Sequence, residues 1–359
     1  MKAIALLASV AAAFPLLAQQ QPPGHVGRPD ANRPGPWDND VLVYRVDAAG
    51  RSEKLATFER AGVPTLARLK EGRLISAFQH FPKNDNRNFD RVAVRFSGDE
   101  GHTWTAATPI VVEGMETGLA RPFDPTLVPL PDGRVRLYFT SNRSPDFRRS
   151  TPAIYSAIST NGIHYVFELG VRFAVEGRIV IDCAAALHNG VFHLFVPDNG
   201  SADDFMGSQQ RHEPPRGGMG YHATSKDGLK FTRADDVKIS GNHRWLGNAQ
   251  SDGKLITFLG TAERAPGKPG QPRGGVWAGT SADGNAWELL KFLDVQGADP
   301  GAVAGRDGDW IIAVTGPPRP GRGRGDDRGR PGLAGGPRRR RPRSSTERPL
   351  RSVAQRSIQ

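Results

Sequence analysis

Three aspartates stand at nearly the same distance before a turn glycine. Asp124 in RPFDPTL lies nine residues before Gly133, Asp182 in RIVIDCA eight before Gly190, and Asp299 in GADPGAV nine before Gly308. Equivalent positions on repeated units converge on one axis, so the spacing predicts several carboxylates around one polar opening. Glycoside hydrolysis needs such a pair, one to protonate the leaving oxygen and one to attack or to activate water. Asp124 and Asp182 are the predicted catalytic couple. Glu263 in GTAER is the candidate acid, with Glu176 in VEGR as its rival. The competing reading of the aspartates is structural, as caps at the start of strands or partners of ordered channel water.

Arginines accompany them. Arg121 precedes Asp124 by three residues, Arg178 precedes Asp182 by four, and Arg244 precedes Asn248 by four. A guanidinium reads a carboxylate or sulfate bidentately. Arg121, Arg178, Arg244 and Asp299 are therefore candidate substrate-binding residues for an acidic sugar, unless each arginine neutralises a neighbouring acid. Other chemistries find little support. There is no phosphate-cradling glycine loop before a helix, no HExxH and no GxSxG. His212, His222 and His243 fall in predicted loops without metal-ligand spacing. Asp203 and Asp204 are too few to argue for calcium. No metal and no cofactor are expected.

The elements that position these residues repeat. An apolar run, a tight glycine turn and a second apolar run occur five times, with turn glycines at Gly72, Gly133, Gly190, Gly253 and Gly308. The steps are 61, 57, 63 and 55 residues, and a fixed period of that size marks a repeat architecture. A second turn alternates with the first: SGDEGHTW from Ser97, STNGIHY from Ser159, SKDGLKF from Ser225 and SADGNAW from Ser281. Each follows a strand-like run. Two hairpins per period make four strands, which is a propeller blade.

Five inner hairpins but only four outer ones of this type are present. The missing outer pair is Val41–Phe58, at the other end of the chain. The predicted fold is therefore an all-β, five-bladed propeller over residues 37–316, closed by pairing that N-terminal hairpin with the last inner hairpin. Six blades are the alternative. Such a clasp leaves no open sheet edge. Turns within hairpins are short, whereas the connections at 80–90, 141–152, 197–220 and 260–275 are long and gather on the opposite face, the usual seat of function.

SGDEGHTW resembles the Asp-box of sialidase-like (BNR-repeat) propellers, pattern S-x-D-x-G-x-x-W. The resemblance implies that Ser97 and Asp99 tie the turn to backbone groups and that Trp104 packs between blades. The Arg-Ile-Pro motif of sialidases is absent, and Tyr221 has no glutamate partner in view. ARPFDP and GADP are similar to the inner-strand Arg-Asp-Pro pattern of five-bladed glycoside hydrolase propellers that cleave arabinosyl, xylosyl or fructosyl bonds. That resemblance implies a carbohydrate substrate, aspartates at the channel and a glutamate acid. A non-catalytic glycan-binding or protein-interaction propeller is the alternative.

Residues 1–18 read as a signal peptide: Lys2, an apolar run from Ile4 to Leu17, and a small-residue cleavage site before Gln19. The run is too short to span a bilayer, and the expected location is secreted or periplasmic. Residues 19–36 read as a flexible lead-in. The net charge of +11 is misleading, because residues 317–359 hold thirteen arginines against three acids. Ten of the eleven charges lie in that tail, which reads as disordered, with polyanion binding its one candidate role. The body is nearly neutral, which argues against nucleic acid as its partner. The lone Cys183, flanked by Ile181 and Ala184, excludes an intrachain disulfide and reads as a buried structural thiol. A monomer is expected.

Overall fold

The computed structural model describes residues 35–207, 213–241, 243–262, 275–290 and 293–317. The predicted signal peptide, most of the lead-in, the arginine tail, Glu263 and His212 lie outside them. The described residues form five small antiparallel sheets with almost no helix.

In chain order, β1 (Val41–Val46) and β2 (Ser52–Phe58) come first. Blade 1 holds β3 (Ala61–Arg68), β4 (Leu74–His80), β5 (Arg91–Ser97) and β6 (Thr108–Pro109). Blade 2 holds β7 (Val111–Glu113), β8 (Phe123–Pro129), β9 (Val135–Ser141), β10 (Ala153–Ser159) and β11 (His164–Phe173). Blade 3 holds β12 (Ala184–His188), β13 (Val191–Pro197), β14 (Met219–Ser225), β15 (Thr232–Arg233) and β16 (Val237–Lys238). Blade 4 holds β17 (His243–Ser251), β18 (Ile256–Ala262), β19 (Val276–Ser281) and β20 (Glu288–Leu289). Last come β21 (Ala298–Ala304) and β22 (Trp310–Thr315).

The fifth blade has the order β2-β1-β22-β21, so opposite ends of the chain share one sheet. The clasp runs the full length of β1, from Val41 opposite Thr315 to Val46 opposite Trp310. Val41, Val43, Phe58, Ile311 and Ala313 are buried together with Leu66, Leu74 and Phe78 of blade 1. The closure therefore adds a hydrophobic interface as well as a ladder of hydrogen bonds. Blade 2 departs from the four-stranded expectation: β7, from the connection between blades, adds a parallel fifth strand against β11.

The inner strands crowd the axis, and β21 and β3 come so close that a Cβ on Gly301 would meet the Pro64 carbonyl at 2.7 Å. All five hairpin glycines named from sequence have positive φ, between 77° and 94°, the conformation such turns require. The four outer turns share one hydrogen-bond scheme. A serine hydroxyl accepts the glycine N–H at 2.8–2.9 Å at Ser97, Ser159, Ser225 and Ser281. The Asp or Asn two residues later accepts further backbone N–H groups, as Asp99 does from Thr103 at 2.9 Å and Asp227 from Leu229 at 2.8 Å. Each turn leans on the preceding blade. Trp104 of blade 1 packs on Phe58 of blade 5 with ring centroids 5.2 Å apart. Trp287 of blade 4 sits 5.3 Å from Phe195 of blade 3. In both, the indole N–H also donates to the turn glycine carbonyl, Gly101 and Gly284.

Candidate active site at the propeller mouth

Asp124, Asp182 and Asp299 come together as their spacing predicts. They stand where β8, β12 and β21 begin, and with Val63, Pro64, Pro125, Cys183, Leu246 and Gly247 they line the central opening. All three have positive φ, 50°, 59° and 51°. Val63 holds the same conformation at the matching place on blade 1. Such backbone is uncommon outside glycine, though Asp tolerates it better than most. The inner strands β3, β8, β17 and β21 carry a register irregularity here, as between Phe123 and Thr126 or Ala298 and Gly301, while β12 starts its regular ladder at Ala184, two residues after Asp182. The kink turns the side chain toward the axis instead of along the sheet.

A threonine on the second strand of the preceding blade holds three of these positions. The Thr140 hydroxyl accepts the Asp182 N–H at 3.2 Å, Thr261 accepts Asp299 N–H at 2.9 Å, and Thr315 accepts Val63 N–H at 2.8 Å. Two of these threonines also favour the charged form of the carboxylate on their own blade, Thr140 that of Asp124 and Thr315 that of Asp299. Where blade 4 has Leu246 in place of an aspartate, Thr261 donates to the Leu246 carbonyl instead. These threonines were not singled out from sequence, although YFTSN, FLGTA and AVTGP place them alike.

The carboxyls are walled in by protein and perturb one another. Asp124 and Asp182 shift each other's proton affinity. Burial pushes Asp124 well above the usual carboxylate range, the charges of Asp182 and Asp299 push it further, and only Thr140 opposes. Burial, then the Asp299 charge, lifts Asp182 to about 7 against the pull of the Arg244 guanidinium. Asp299 is raised by burial, while Thr315 and Arg244 favour its charged form. Like charges this close cannot all ionise, so the Asp124–Asp182 pair holds one proton between its members.

Because each carboxyl perturbs the other, Asp124 and Asp182 act as one proton-holding unit, with Asp299 as the third carboxyl at the opening. The opening is also small, with a cavity volume of about 10 Å³, room for roughly one water. Beneath it Asn248 donates to Thr65 at 3.2 Å and accepts the Ala302 N–H at 3.3 Å, closing the floor. Cys183 is buried at this level, and its carbonyl accepts the Thr126 hydroxyl.

The three arginines do not form a cluster. Arg121 pairs with Asp90 at 3.6 Å. Arg178 pairs with Asp198 and with Glu213 at 3.0 Å. Arg244 acts on Asp182 and Asp299 and donates to Asn199. Glu176 is exposed in a turn. His222 is not in a loop: it is fully buried in β14, 3.1 Å from His193. Among the described residues no group of three or more His, Cys, Asp or Glu is arranged to hold a metal ion, and no helix is long and apolar enough to cross a membrane.

Comparison with solved structures agrees with this architecture. The chain shares its fold with a glycoside hydrolase. That protein is the Bombyx mori GH32 β-fructofuranosidase BmSUC1, at TM-score 0.50 and 13% identity over 70% of this chain and 54% of that one. An N-acetylgalactosamine deacetylase from F. plautii gives 0.49 and 14% over 76% and 86%. A glycoside hydrolase family 43 arabinoxylan arabinofuranohydrolase from Bacillus subtilis gives 0.48 and 12% over 70% and 58%. No protein-family profile matches the sequence, and no curated protein does either.

Proposed function

We propose that this is an exported propeller that acts on carbohydrate and hydrolyses glycosidic bonds at the mouth of its channel. The observation that carries this reading is the convergence of Asp124, Asp182 and Asp299, from three blades, on one small opening. The Asp124–Asp182 unit retains a proton near neutrality and serves as general acid. Asp299, held toward its charged form by Thr315 and Arg244, is the base that activates the single water the opening admits. The sugar would rest on the rim, with only the scissile bond reaching the carboxylates. The four outer turns, resembling Asp-boxes, would serve the fold and not the chemistry.

The small size of the opening favours one other reading, a glycan-binding propeller without turnover, because it has room for only about one water beside the carboxyls. A panel of aryl glycosides decides between them. Hydrolysis that falls at least about a hundredfold in Asp299→Asn and in Asp124→Asn supports catalysis. Glycan binding without turnover, unchanged in both variants, refutes it. Export is tested by finding Gln19 at the mature N-terminus.

A further inference from the structure

The space that fits a sugar ring lies beside the channel, on blade 3. Arg178, Glu213, Pro214, Pro215, Arg216 and Tyr221 line an open, shallow recess of about 510 Å³. Its charges are organised in an uneven way. Asp198 is the floor: its side chain is 0% exposed and bound by both Arg178 and Arg216. Arg178 also donates to the Tyr221 hydroxyl at 3.1 Å, which fixes the guanidinium plane. Arg216 reaches Asp236 at 2.9 Å, and Asp236 is itself matched by Arg233. With Asp236 set against Arg233, the two lining arginines exceed the floor aspartate by one positive charge.

Glu213 supplies the balancing charge, and it does so from outside. Its side chain is 62% exposed, while Arg178 opposite is 14% exposed. Its backbone is pinned: Ser201 N–H donates to its carbonyl at 3.0 Å, and its own N–H donates to Asp204 at 2.8 Å. Only the side chain is free to rotate. The carboxylate on Arg178 is therefore a tethered anion, bound in high dielectric, where such a pair is weak.

We propose that this pocket binds the carboxylate of an acidic sugar, a uronic acid, and that Glu213 occupies the carboxylate position until the ligand displaces it. The ligand carboxylate takes the Arg178–Arg216 edge, and Pro214 and Pro215 face the ring. The carboxylate site stands independently of catalysis at the channel; the choice of a sugar as its carrier rests on the carbohydrate reading above.

The test is calorimetric titration of the full chain with galacturonate, galactose and glutarate. Galacturonate binds and galactose does not. Glu213→Gln removes the competitor and tightens galacturonate roughly two- to fivefold, the worth of one exposed ion pair. Arg216→Met weakens it about tenfold or more. No galacturonate binding to either the wild type or Glu213→Gln overturns the proposal, and since Glu213→Gln changes an exposed side chain, misfolding does not explain that result. Glutarate binding as tightly as galacturonate overturns the assignment to a sugar. Absence of glycoside hydrolysis with galacturonate binding intact refutes the channel mechanism and leaves the pocket.

Discussion

Asp182→Asn makes the protein more stable above neutrality and leaves it unchanged in acid. Asparagine keeps the size of the side chain and accepts the 59° φ at this position as readily as aspartate. What changes is the proton. In the folded protein burial and the Asp299 charge lift Asp182 from its ordinary 3.8 to about 7. The folded state thus keeps a proton that the unfolded chain surrenders between about pH 4 and pH 7. Stability falls across that window as pH rises, at most by about 1.4 kcal/mol per unit. Three units set a ceiling of about 4 kcal/mol. Water reaches the opening, so about 2 kcal/mol is the working figure. For a chain of this size that raises Tm by about 4 °C. Circular dichroism melts at pH 4, 6 and 8 supply the measurement. The gain of the variant over the wild type is absent at pH 4, partial at pH 6 and full at pH 8. A variant no more stable than the wild type at pH 8, or an equal difference at all three pH values, refutes the claim that the mouth carboxylates strain the fold. A gain in stability together with a loss of hydrolysis is the mark of a functional site.

Thr140→Val orphans the Asp182 N–H and removes the hydroxyl from Asp124 in a fully buried position; it costs about 1–3 kcal/mol in urea unfolding. Asn161→Asp gives the second outer turn the residue of the other three, whose carboxylates accept the same backbone N–H groups and sit at about 2. It adds roughly 0.5 kcal/mol at pH 7. Because such a pKa is depressed on folding, the gain shrinks as pH falls below about 4 toward 2, which acid melts of the two proteins resolve. Deleting residues 35–60 removes β1 and β2 and uncovers the β22 edge; soluble monomer disappears from size-exclusion chromatography, whereas a shortened arginine tail leaves the elution unchanged.

The architecture was legible because the turns announce themselves. A glycine every 55 to 63 residues marks the one backbone conformation a tight hairpin cannot form otherwise, and the serine–aspartate turns add a second set of marks. The count of outer hairpins even specified the clasp, since four outer pairs cannot complete five inner ones. The aspartate ring was legible for the same reason, as an offset from a turn. The threonine brackets were harder to see: a threonine inside a strand is ordinary, and its role depends on which blade lies next to it. Arg178 shares its offset with Arg244 and Arg121 nearly does, yet the long side chains of Arg121 and Arg178 turn to Asp90 on the β4–β5 connection and to Asp198 on the β13–β14 connection. Offsets specify where a backbone stands, not where a flexible guanidinium ends. His222 looked like loop because GGMG precedes it, but the alternation of Tyr221, His222 and Ala223 across from Val196, Phe195 and Leu194 belongs to a strand.

The shared fifth sheet has a bearing on synthesis. Val41–Phe58 is made early, and its partner Trp310–Thr315 appears some 250 residues later. Until then the leading hairpin has nothing to join, and an interrupted polypeptide stays ajar with a bare strand at either side. Only a chain that extends through Thr315 can lock, and molecules cut short before it keep the β1 edge unpaired.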